Sequence, residues 1–164
     1  MDTKTIIVTL VTDRTQADVE RVKALAAKGF AGMTAAEQAE WLAGMKGAYN
    51  AADLNRVGTA LNYLAARLAP VCGMSIAWSA KTDWAVTDIA TASQAAEYRQ
   101  HIQDIRNALA YPVGTPDAPE LGRLTYTGAN DIERILALCE ELIDNITKAF
   151  RYTGAAECAT GGLI

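Results

Sequence analysis

The sequence is poor in the residues that usually carry chemistry. One histidine, three cysteines, two phenylalanines and four prolines occur among 164 residues. A lone histidine cannot build a histidine-based metal site. Cys72, Cys139 and Cys158 are an odd, widely spaced set with no CxxC pair, which excludes a zinc module and a disulfide scaffold. No block of lysine or arginine appears and the formal net charge is −4, so the cationic footprint of a nucleic-acid binder is missing. No apolar run approaches the roughly 20 residues of a membrane span. The six-residue run Ile6–Val11 is too short for the core of a signal peptide. No GxxxxGK[ST] loop is present. These absences predict a soluble chain made in the cytoplasm, without cofactor, nucleic-acid partner or membrane insertion.

What remains is helical in character. Hydrophobic residues make up 51% of the chain, and alanine, the best helix former, supplies much of that share. Thr15-x-x-Asp18, Thr34-x-x-Glu37 and Thr91-x-x-Gln94 are capping-box patterns, and Asn50 with Asp53 is a fourth helix start. Two short helices follow the first two starts, the first ending at Gly29. The third helix carries Leu54, Val57, Leu61, Leu64 and Leu68 on one stripe and ends at Pro70 and Gly73. The fourth carries Tyr98, Ile102, Ile105 and Leu109. The last starts near Gly128-Ala129-Asn130, presents Ile132, Ile135, Leu136, Cys139, Ile143 and Ile146, and stops at Thr153-Gly154.

Two segments read as β structure. Residues 4–12 are rich in Ile, Val and Thr, and Met74, Ile76 and Trp78 alternate with small residues before a return through Trp84 and Val86. The expected architecture is mainly α: a bundle of three long amphipathic helices, two short N-terminal helices, and a small β element made of the N-terminal strand and a 74–86 hairpin. Residues 1–12 form a strand or arm, 13–154 the bundle, and 155–164 a flexible tail.

Candidate sites are few. Asp53 and Arg56, three apart on a helix, form a local ion pair or leave Arg56 as an interface anchor. Trp78 and Trp84 flank a turn and are the better exposed aromatics, suited to a docking patch or to a carbohydrate or small-ligand module. Ile6, Val8 and Leu10 would line the strand, which pairs either with 74–86 or with another chain. Asp131, Glu133, Glu140, Glu141 and Asp144 read as a solvated face. His101 and Asp104 are close enough to touch, but no nucleophile accompanies them, so an enzyme with an acid–base pair there is the weaker alternative.

Asp13-Arg14-Thr15-Gln16-Ala17-Asp18-Val19, Trp41-Leu42, Gly44-Met45-Lys46-Gly47-Ala48-Tyr49-Asn50 and Asp53-Leu54-Asn55-Arg56-Val57 occur in order. Lys81-Thr82-Asp83-Trp84, Leu124-Thr125-Tyr126 and Ala129-Asn130-Asp131-Ile132-Glu133 continue the set. Together they resemble the small helical proteins and domains of tail-structural modules in phages and prophages of Gram-positive, clostridial-type bacteria, over roughly residues 13–157. The resemblance implies a virion structural protein of the tail, baseplate or fibre attachment. It further implies assembly with other tail proteins, homo-oligomerisation in the particle, and no catalytic residues.

Overall fold

The structure is a computed structural model that describes residues 5–160. Six α-helices and two 3-10 turns make up the regular structure: α1 (Thr5–Val8), α2 (Gln16–Lys28), α3 (Ala35–Leu42), α4 (Ala51–Cys72), α5 (Ala92–Ala108) and α6 (Tyr126–Thr160), with 3-10 turns at Phe30–Gly32 and Leu121–Arg123. The mainly α class holds, and the three long and two short helices expected from the sequence all form, the last with different ends.

All four predicted starts form complete capping boxes, at Thr15, Thr34, Asn50 and Thr91. In each, the cap side chain accepts from a helix-start N–H while the third residue returns to the cap's own N–H, so two orphan donors are satisfied together. The start of α6 lies earlier than the glycine at 128 suggests. Thr125 caps it, its hydroxyl accepting from the Gly128 N–H at 3.1 Å. Helix α4 continues through Pro70, which lacks the N–H that would bond to Ala66. It then closes on Gly73, whose φ of 67° no side chain obstructs, with the Gly73 and Met74 N–H groups donating to the Ala69 and Leu68 carbonyls. Helix α6 is traced past the expected stop at Thr153-Gly154, so helical backbone enters the segment read as a tail. Residues 161–164 lie outside the described residues.

Helices α4, α5 and α6 pack pairwise around the main core. Val57, Leu61, Leu64 and Leu68 of α4 meet Ile102 and Ile105 of α5 and Ile132, Ile135, Leu136, Cys139 and Ile143 of α6, all fully buried. Burying each such side chain contributes about 1.5–3 kcal/mol. Helices α2 and α3 frame a separate small cluster of Leu25, Met33 and Met45.

The β element is not there. Among the described residues no strand forms. Residues 5–8 make a single helical turn, continued by the Thr9 and Leu10 N–H groups donating to Ile6 and Ile7 carbonyls. An isolated strand would leave its backbone groups unpaired, whereas one turn of helix satisfies some of them locally and still lays Ile6, Ile7 and Leu10 on the main core. Residues 74–86 join no strand; within them the Ala80 and Trp84 backbone groups pair with the Asn62 and Asn55 side chains of α4.

Candidate functional site

Three residues on one face of α4 dock the 79–84 segment. Asn55 Nδ2 donates to the Trp84 carbonyl at 2.9 Å and Asn55 Oδ1 accepts from the Trp84 N–H at 2.7 Å. Seven residues on, Asn62 does the same with Ala80, at 3.0 and 2.7 Å. Between them Gly58 lets the chain touch the helix: a Cβ there would stand 2.3 Å from the Lys81 carbonyl oxygen. A primary amide carries one donor and one acceptor side by side, so each Asn supplies what a neighbouring strand would. The pattern Asn55-x-x-Gly58-x-x-x-Asn62 was visible in the sequence, but its meaning depends on which loop lies across it.

This docking fixes Trp84 and builds an apolar groove. The groove has a volume of about 530 Å³. Its walls are Trp41 and Leu42 at the end of α3, Met45 just beyond it, Ala51 and Leu54 at the start of α4, and Trp84, Ala85, Val86 and Asp88. Trp84 forms its floor and is only 7% exposed, so the expected exposure does not hold for that residue. The rim is the opposite: Leu42 is 74% exposed, Val86 96% and, beside the groove, Ile89 90%. Asp88 is the charged residue in the lining, and its carboxylate accepts from the Ala85 N–H at 3.0 Å, which closes the turn that presents Val86.

Arg56 points elsewhere. It joins Arg14, Asp53 and Glu133 in a buried cluster of two cations and two anions. Glu133 accepts from Arg14 Nη2 at 2.6 Å, from Arg56 Nη2 and Nε at 2.7 and 3.0 Å, and from the Val11 N–H at 2.6 Å. Asp53 accepts from Arg14 and Arg56 at 2.8 and 2.5 Å. Asn130 closes the assembly, pairing with the Arg14 N–H and carbonyl at 2.9 Å each. Glu133 is fully buried and Glu140 nearly so, the latter accepting from Tyr63 at 3.0 Å and pairing with Arg67. The solvated-face reading of these two carboxylates is therefore corrected: each is brought inside by an arginine from α4. Burial works against the Arg56 charge, but its hydrogen bonds and charge contact with Glu133, and then with Asp53, outweigh it and hold its pKa above the ordinary arginine value. The cluster locks residues 11–14 onto α4 and α6. Beside it the Tyr49 and Tyr98 hydroxyls share a hydrogen bond of 2.7 Å, both phenols driven upward in pKa by burial.

The remaining expected residues fall apart spatially. Ile6 and Leu10 are half-buried on the main core, and Val8 faces solvent at 83% exposure. Trp78 lies against α5, away from the groove. His101 stacks on the Trp78 ring at 4.0 Å between centroids, and Asp104 accepts from the Trp78 indole N–H at 2.8 Å. The pair read as a possible acid and base is thus engaged in holding one tryptophan. Burial pushes the His101 pKa down, with Glu97 and Asp104 opposing it. Among the described residues no group of His, Cys, Asp and Glu is arranged to hold a metal ion, and no helix is long and apolar enough to cross a membrane.

No protein-family model, no curated protein and no solved structure matches this chain.

Proposed function

We propose that this chain is an assembly adaptor that works by protein–protein contact, in the tail, baseplate or fibre attachment of a phage or prophage particle. The observation that supports contact as the activity is the groove with its rim. Leu42, Val86 and Ile89 are large aliphatic side chains held in water beside an apolar cleft. Exposed apolar surface of that kind marks interaction sites. Covering it recovers about 25 cal/mol per Å². The turn that presents Val86 is held by Asn55 and Asp88, so it offers its apolar tip without first having to order itself. The tail assignment rests on the ordered sequence segments from Asp13 to Glu133 and on the homo-oligomeric particle they imply.

The test is co-expression of the full chain with the structural proteins encoded beside it, followed by mass measurement of the complex. A defined complex with a tail or baseplate protein is expected. Leu42→Asp and Val86→Asp, both on the rim, should abolish co-elution while leaving the melting temperature within about 2 °C, since surface substitutions of this kind change stability little. A complex untouched by both substitutions would remove the groove from the proposal, and absence of any such complex would remove the adaptor role.

A further inference from the structure

Trp78 is organised differently from the other two tryptophans. It is half-buried, and its indole is fixed from two directions. The His101 ring covers it in a near-parallel stack, 4.0 Å between centroids and 19° between planes, and its N–H is bound to Asp104 Oδ2. Gln100 Nε2 holds the other oxygen of Asp104 at 2.7 Å. The stack and the hydrogen bond together hold the indole in one orientation.

Trp78 lines an open cleft of about 350 Å³ between the 74–78 segment and the last turns of α5. Its other walls are mixed in a particular way. Met74, Ile76 and Ala108 supply apolar surface, while Ser75, Asp104 and Asn107 supply polar atoms along the same cleft. Asp104 accepts two hydrogen bonds within the protein, and a carboxylate has about four acceptor sites, so it retains capacity toward the cleft. Asn107 uses its Oδ1 toward Gln103 at 3.0 Å, which orients its amide nitrogen as the remaining donor.

An aromatic side chain beside a carboxylate acceptor, an amide donor and a hydroxyl suits a polyhydroxylated ligand. A pyranose ring presents axial C–H groups on one face, which pack on an aromatic ring, and a girdle of hydroxyls that each donate and accept. An anionic ligand would meet Asp104, and a wholly apolar one would leave the polar wall unpaired. We propose that the Trp78 cleft is a binding site for a neutral saccharide, separate from the apolar groove and independent of the adaptor reading.

The three indole N–H signals in a ¹⁵N–¹H spectrum report separately on the two surfaces. Trp41 and Trp84 line the groove, and Trp78 lines the cleft. The full chain is titrated with cellotriose, maltotriose and chitotriose in turn. Saturable movement of the Trp78 signal by at least one of them is expected, with a Kd of about 1 mM and with Trp41 and Trp84 still. Asn107→Ala changes an exposed side chain that accepts from Gln103, and it should weaken binding about threefold without altering the rest of the spectrum. Asp104→Asn keeps an acceptor for the indole and should weaken binding about tenfold. No saturable movement with any of the three up to about 20 mM, equal movement of all three indoles, or binding indifferent to both substitutions would each overturn the proposal.

Discussion

Asn55 pairs with Trp84 as one strand residue pairs with another, donating to its carbonyl and accepting from its N–H with one side-chain amide. Asn62 with Ala80 and Asn130 with Arg14 repeat the arrangement. Two segments, 79–84 and the chain around Arg14, are thereby attached to helices without a sheet. Each amide satisfies two backbone groups that would otherwise go unpaired against a helix surface.

Asn55→Ala should therefore loosen the turn that carries Trp84 and Val86. Two hydrogen bonds disappear and two backbone groups lose their partner, a loss of about 1–3 kcal/mol. Chemical denaturation measures the stability change, and amide hydrogen exchange at residues 84–88 should rise more than exchange in α6. Unchanged exchange at Trp84 would show that the pairing does not hold the turn.

Gly58→Ala tests which of two opposed effects wins. Alanine in place of a mid-helix glycine stabilises an isolated helix by about 1 kcal/mol. Here the new Cβ would lie 2.3 Å from the Lys81 carbonyl oxygen, so the loop must lift or the helix must shift. Steric insertion into a packed contact costs about 1–3 kcal/mol, and losing the Asn55 and Asn62 pairings would add to it. Net destabilisation is expected, and a higher melting temperature would refute the close approach.

Glu133→Gln should be the most damaging single change among the charged residues. It removes one of two anions from a buried set with two arginines, leaving Asp53 to neutralise both. Breaking a buried pair by deleting one partner typically costs about 3–5 kcal/mol. Arg21→Gln, which breaks surface pairs with Glu40 and Glu37, should lower stability far less. Urea midpoints of the two variants compare the two directly.

The pH dependence of stability should carry a histidine contribution. Burial against Trp78 holds the His101 pKa below its ordinary value of 6.5, so the unfolded chain takes up a proton that the folded chain resists. A group depressed in this sense contributes stability that is whole above the ordinary value and is lost as pH falls through it toward the folded pKa. His101→Phe keeps an aromatic stack and cannot titrate. The stability difference between parent and variant should therefore move against the parent as pH falls from 7.5 to about 5.5, and a constant difference would count against a buried neutral imidazole.

The local grammar of this protein was legible in one dimension. Capping at Thr15, Thr34, Asn50 and Thr91 is decided by residues three apart, and the stripe from Leu54 to Leu68 is decided by helical period, so neither needs knowledge of the fold. The cap at Thr125 carries no such box, because the residue three further on is Gly128, which has no side chain to return the bond.

Tertiary structure decided everything that depends on a distant partner. Residues 4–12 have strand composition, but among the described residues no strand offers an edge to pair with, and residues 5–8 take a helical turn that lays Ile6 and Ile7, half-buried, on the core. Glu133 is a charged residue on an amphipathic helix, and only the arrival of Arg14 and Arg56 from 119 and 77 residues away makes its burial affordable. The scarcity of histidine, cysteine pairs and basic runs bounded the chemistry from the start. Trp84 became the floor of a groove because two asparagines and a glycine on α4 hold its segment, and Trp78 the wall of a cleft because His101 and Asp104 on α5 hold its ring; composition decides neither.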